Sequence, residues 1–146
     1  MRWYLLHPIS VHAPLALLPL GLAAAFLREF WGKPAWLDDR AVSWLLWLGA
    51  AGALAAMGLG LLAEQTAPHV PAAWDVLADH KTAGIWTAAA FSIIALWRVF
   101  TLGPNARRRM LLAAWFAATG VLLRAAYLGG RLVYDFGMGS AASQEQ

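Results

Sequence analysis

HPISVHAPLALLPLGL, residues 7–22, decides the fold class. From Pro8 the chain runs to Leu27 without a charged residue. That is long enough to cross a bilayer core, which takes roughly 20 apolar residues. Two histidines and three prolines stand at the mouth of this run, where a membrane helix tolerates neither type easily. Pro8 suits a first helical turn, and Pro14 and Pro19 predict a bend further in.

Three more apolar runs follow, and the four spans are expected at about 8–30, 41–65, 75–100 and 110–134. Hydrophobic residues make up 61% of the 146 and charged residues only 13%, too apolar a balance for a small water-soluble domain. Cysteine is absent, which excludes disulfides and thiolate-held metals. The formal charge of +3 is not a nucleic-acid signal, because the basic residues gather in loops beside apolar spans. No basic leader with a small-residue cleavage site precedes the first span.

The connectors REFWGKPAWLDDR (28–40), EQTAPHVPAAW (64–74) and TLGPNARRR (101–109) are short. Short connectors make successive helices antiparallel neighbours. The expected fold is all-α: a single domain over residues 1–137, an up-down-up-down four-helix membrane bundle, with a disordered polar tail at 138–146. One side carries Arg28, Lys33, Arg40, Arg98 and Arg107 to Arg109, and the other Arg2, Lys81 and Arg131. The excess places the first side in the cytoplasm and both termini outside.

All four histidines, His7, His12, His69 and His80, then fall on the outer side. At a rise of about 1.5 Å per residue, His12 lies about 6 Å into span 1 and His80 about 7–8 Å into span 3. Spans 1 and 3 are diagonal partners, so two imidazoles at one level could hold the iron of a b-type haem. Gly84, one turn below His80, and Ala16, one turn below His12, leave room for a flat macrocycle. Arg131 is a candidate partner for a haem propionate, or an arginine reaching for the interface. Arg124 falls near mid-membrane, where a charge needs a partner. Its candidate contacts are the cofactor, a quinone head group, a neighbouring subunit, or the Leu15 carbonyl freed by Pro19. No carboxylate is expected at its depth.

Gly52, Ala56, Gly60 and Glu64 form one ridge of span 2, which reads as close helix packing. Gly120, Arg124, Tyr127, Arg131 and Tyr134 form a stripe on span 4. His69, between two prolines, reads as a loop residue. His7 lies five positions from His12, roughly 140° around the helix, so the two cannot share a face. A copper or zinc site of His7, His12 and His80, with Glu64 in reach, is the alternative metal site.

HPISVHAPLALL in span 1, His80, Arg98 at the end of span 3, and LGGRLVYDFGMG closing span 4 together resemble the small bacterial four-helix membrane proteins grouped as domain of unknown function 2231. The resemblance covers almost the whole chain, and HPxxVHxP and GGxLVY are its more specific parts. The family typically has HGxG after the tyrosine; Phe136 stands here where the histidine is expected. The resemblance implies a four-helix membrane domain in a family that looks accessory to respiratory or redox systems.

No nucleophile or acid–base pair is visible. The expected function is therefore non-catalytic: a cytochrome-like subunit passing electrons between a periplasmic redox partner and a quinone or membrane partner. The alternatives are a cofactor-free subunit of a larger respiratory or photosynthetic complex, or the outer copper or zinc site. A transporter is disfavoured, because no pair of broken helices is evident.

Overall fold

The computed structural model describes residues 3–32, 37–67, 70–100 and 105–139, except the side chains of 3, 105 and 106. Four helices are long and apolar enough to cross a membrane: α1 (Leu6–Phe30), α2 (Asp39–Thr66), α3 (Trp74–Phe100) and α4 (Asn105–Tyr134). The described residues contain no strand. In a bilayer every backbone N–H and C=O must be bonded internally, and helices meet that demand within each span. His69 and residues 140–146 of the expected tail lie outside the described residues.

Sequence explains where the helices begin and end. Residues 3–5 form a 3-10 turn that leads into α1. The regular bonding of α1 is interrupted at Val11, which keeps helical angles (φ −67°, ψ −19°). The cause is Pro14, which has no N–H to offer the Ser10 carbonyl. Asp38 caps α2, accepting from the Ala41 N–H at 2.7 Å. A 3-10 turn at Pro71–Ala73 feeds α3. Gly137, at φ 64°, stops α4 in a left-handed cap, and its N–H bonds the Val133 carbonyl at 3.0 Å. Met138 and Gly139 belong to that ordered cap rather than to the tail.

Each helix packs on its sequence neighbour, and α1 also packs on α4. That closes the bundle and leaves α1 and α3 across a diagonal, as the short connectors predict. The core centres on Leu18, Leu46, Phe91 and Trp115, all fully buried. Close approach makes it possible. A β-carbon at Gly21 would lie 2.7 Å from Cζ2 of Trp115, and one at Gly49 would lie 2.6 Å from Cδ2 of Leu18. The indole N–H of Trp115 donates to the Leu18 carbonyl at 3.1 Å, so the largest core side chain leaves no polar atom stranded. Thr87 and Thr119 return their hydroxyls to the carbonyls of Ala83 and Trp115, one turn back. Large apolar side chains such as Leu20, Ile93, Leu96 and Phe116 point outward, where lipid is their solvent.

Gly21→Ala is expected to lower unfolding stability in detergent by about 1–3 kcal/mol, the usual range for overpacking. Gly120→Ala, where a β-carbon meets nothing within 4 Å, is expected not to lower it. Thermal unfolding followed by circular dichroism checks both. Equal losses would mean that the Gly21–Trp115 contact does not exist.

Candidate histidine site

The buried stripe of α1 is Pro14, Leu18, Gly21 and Arg28. Continued backward at three- and four-residue steps, it reaches His7 and not His12. The structure follows that register. His7 turns into the bundle, and its Nδ1 lies 2.9 Å from the carbonyl oxygen of Ala56 on α2. His80 of α3 does the same on the opposite side, with Nδ1 2.9 Å from the carbonyl oxygen of Ala125 on α4. The two rings meet across the diagonal with centroids 5.9 Å apart and planes at 74°. His12 is exposed on the outer face, its Nδ1 3.3 Å from the Ile9 carbonyl. The expected His12–His80 pair is thus corrected to His7–His80. The reason is angular: His12 is two positions from Pro14, roughly 200° around the helix from the packed face.

A carbonyl oxygen only accepts, so Nδ1 of each ring carries the proton and donates. In the neutral ring Nε2 is then the unprotonated nitrogen, the one able to bind a metal. Fixing the second nitrogen by a backbone carbonyl is the usual way a ligand histidine is oriented. Glycines make the fit. A β-carbon at Gly60 would sit 3.0 Å from Cε1 of His7, and one at Gly129 would sit 3.1 Å from Cε1 of His80. The α2 ridge therefore does pack closely, Gly52 against Pro14 and Gly60 against His7. Gly84, expected to cradle a cofactor, has open space where its side chain would be; Gly129 is the glycine that lies against His80.

Lys81, Arg124 and Arg131, near this end, are each paired. Lys81 Nζ lies 2.8 Å from Glu64, so Glu64 is not turned toward the imidazoles as a further ligand. Arg131 Nε lies 2.8 Å from Asp135, four residues on, just past the end of α4. The α4 stripe faces outward: Arg124 is 67% exposed and Tyr127 and Tyr134 lie beside it in the open. Arg124 does have a carboxylate, Asp79 of α3, at 3.7 Å. The expectation that none lay at its depth overlooked the reach of an arginine side chain, which lets the guanidinium climb toward the membrane surface. It touches neither the Leu15 carbonyl nor the imidazoles. Among the described residues no group of three or more histidine, aspartate or glutamate side chains is set to hold a metal ion.

Two imidazoles bonded to one metal at about 2.0–2.1 Å have ring centroids about 5 Å apart at a tetrahedral angle and just over about 6 Å apart when trans. The His7–His80 separation of 5.9 Å falls between those two limits.

A family model described as predicted membrane protein (DUF2231) matches residues 5–142, and the chain belongs to that family. No curated protein and no solved structure matches.

Long-range proton–nitrogen NMR of histidine-labelled protein checks the site directly. His7 and His80 are expected as Nδ1–H tautomers with hydrogen-bonded protons. A neutral ring protonated on Nε2 in place of Nδ1 would contradict the carbonyl contacts.

Proposed function

We propose that this chain is a membrane-embedded electron-transfer subunit in which His7 and His80 hold the iron of a b-type haem. The observation that carries the reading is the pair of carbonyl-oriented imidazoles meeting across the α1–α3 diagonal with ring centroids 5.9 Å apart. The ligand count favours haem. A haem brings four equatorial nitrogens and asks the protein only for axial ligands. A bare zinc site asks for three or four side chains. The group supplies one-electron transfer when bound. The chain's own residues bind it, orient it and exclude water. The Ala56 and Ala125 carbonyls draw on the imidazole N–H groups, making the ligand nitrogens more basic and favouring the oxidised metal.

The inner membrane of a bacterium, with the histidine end outward, is the placement favoured by charge. Arg28, Arg40, Arg98 and Arg107 to Arg109 crowd the opposite end. Electrons then pass between a periplasmic redox protein at the histidine end and a quinone or membrane partner.

One observation favours a second reading, a bare copper(I) ion. The imidazoles lie directly on Gly60 and Gly129, so a macrocycle needs the helices to part at that level, whereas two imidazoles take copper(I) without a wider slot.

A dithionite-reduced minus oxidised spectrum of the detergent-purified protein, with a pyridine haemochrome assay, tests the proposal. One haem b per chain is expected, lost in His7→Ala and in His80→Ala and kept in His12→Ala. Full low-spin haem in both His7→Ala and His80→Ala overturns the assignment of ligands. A colourless protein with stoichiometric copper selects the second reading. A colourless, metal-free protein from haem-competent cells makes the chain a cofactor-free accessory subunit.

A further inference from the structure

The end of the bundle away from the histidines holds more positive charge than it neutralises. Arg28 of α1, Arg98 of α3 and Arg108 of α4 all converge on Asp39, the first residue of α2. Arg28 Nη2 and Arg108 Nη2 lie 3.3 Å and 3.0 Å from Oδ2, and Arg98 Nη2 lies 3.2 Å from Oδ1. Three guanidiniums face one carboxylate, so two positive charges are left over. Nearby acids are engaged elsewhere: Glu29 pairs with Arg109 at 2.9 Å, and Asp38 caps α2. The first turn of α2 adds the partial positive charge of a helix N-terminus.

These cations are not solvated surface residues. Arg98 is 4% exposed and Arg28 is 9% exposed. The Nε of Arg28 is buried and has no hydrogen-bond partner among the described residues. The three guanidiniums and Asp39 line one pocket, closed on its inner side by Trp115 and Leu111. Arg108 and Asp39 are its most open members. Like charges held a few ångströms apart in weakly polar surroundings repel strongly, and a bound anion removes that repulsion. Guanidinium forks match the oxygens of phosphate, with short charge-assisted bonds.

Depth narrows the source. Each of the four residues lies within about one turn of its helix end. Helices of 25 to 30 residues are about 38–45 Å long, against about 30 Å of hydrocarbon, so those ends stand at headgroup level. Basic pockets between helices at that level are where phospholipid headgroups bind. We infer that the Arg28–Arg98–Arg108 cluster binds a phosphate group, presented by the headgroup of an acidic phospholipid or as the free ion.

Native mass spectrometry and thermal unfolding of the full-length protein in detergent test this, with phosphatidylglycerol, phosphatidylcholine and inorganic phosphate as separate additions. Phosphatidylglycerol is expected to be retained at least about tenfold more tightly than phosphatidylcholine, since each missing charge-assisted contact is a loss of that order. Arg108→Gln is expected to abolish that preference, and Arg108→Lys, which keeps the charge but not the fork, to weaken it several-fold. Arg107→Gln removes the same charge from an exposed neighbour outside the cluster and is expected to leave retention unchanged. Stabilisation by inorganic phosphate alone, lost in Arg108→Gln, identifies the free ion as the ligand. No effect of either phosphate source, or equal losses in Arg107→Gln and Arg108→Gln, overturns the inference.

Discussion

One carboxylate ties the four helices together. Asp39 opens α2 and takes ion pairs from α1, α3 and α4. Membrane helices have little hydrophobic reason to associate, since lipid is as apolar as their side chains. Packing and polar contacts must supply the specificity. A charge on each of three helices, drawn to one point on the fourth, sets which helices meet and at what depth. Arg98 adds a bond to the Ser43 hydroxyl at 3.0 Å, and Arg28 reaches the Leu37 carbonyl, so the cluster also fixes the entry of the chain into α2. Register at that end propagates inward. It brings Trp115 over Gly21 and Leu18 against Gly49, contacts that tolerate no β-carbon.

The opposite end is built differently. The apolar cluster there is small, Ala83, Ala125 and Leu128 with Val76 packed on it. Imidazoles take the place that larger apolar side chains hold in the middle of the bundle. Each ring is anchored to the helix adjacent to its own, His7 to α2 and His80 to α4, rather than to its partner. The pair is thereby held from outside. A core of leucines would be more stable than two imidazoles bonded only to carbonyls that already accept within their own helices.

Much of this was legible in the sequence. Apolar runs, charge-free in the first two spans, marked the four helices, short connectors gave antiparallel neighbours and the α1–α3 diagonal, and the glycine ridge of α2 gave its close packing. The rotation of α1 was misjudged. Depth alone made His12 and His80 equal partners, but depth does not fix the angle about the helix axis. The stripe Pro14, Leu18, Gly21 and Arg28 carried that angle, and it points to His7. Arg28, Arg98 and Arg108 read as topology markers because a count of basic residues does not separate a guanidinium facing water from one turned inward. Asp39 sat in what looked like a connector. Its role needs three residues from three other helices, a conjunction that no local pattern encodes. Arg124 was placed by its backbone, and the Asp79 contact depends on the length of its side chain.

The two ends of the bundle bear on each other through rigidity. The His7–His80 spacing of 5.9 Å is kept only if neither helix slides along its axis. His7 lies near the beginning of α1, and Arg28 near its end. With Leu18 locked between Trp115 and Gly49, α1 is held at three depths, and sliding it would break all three contacts together. α3 is held likewise by Arg98 at one end and His80 at the other, with Phe91 fully buried between them. Neither α1 nor α3 can move along its axis without disturbing Asp39. The pair of imidazoles at one end is thus positioned by a charge cluster at the other, and the sign and strength of that cluster become part of what fixes the distance between His7 and His80.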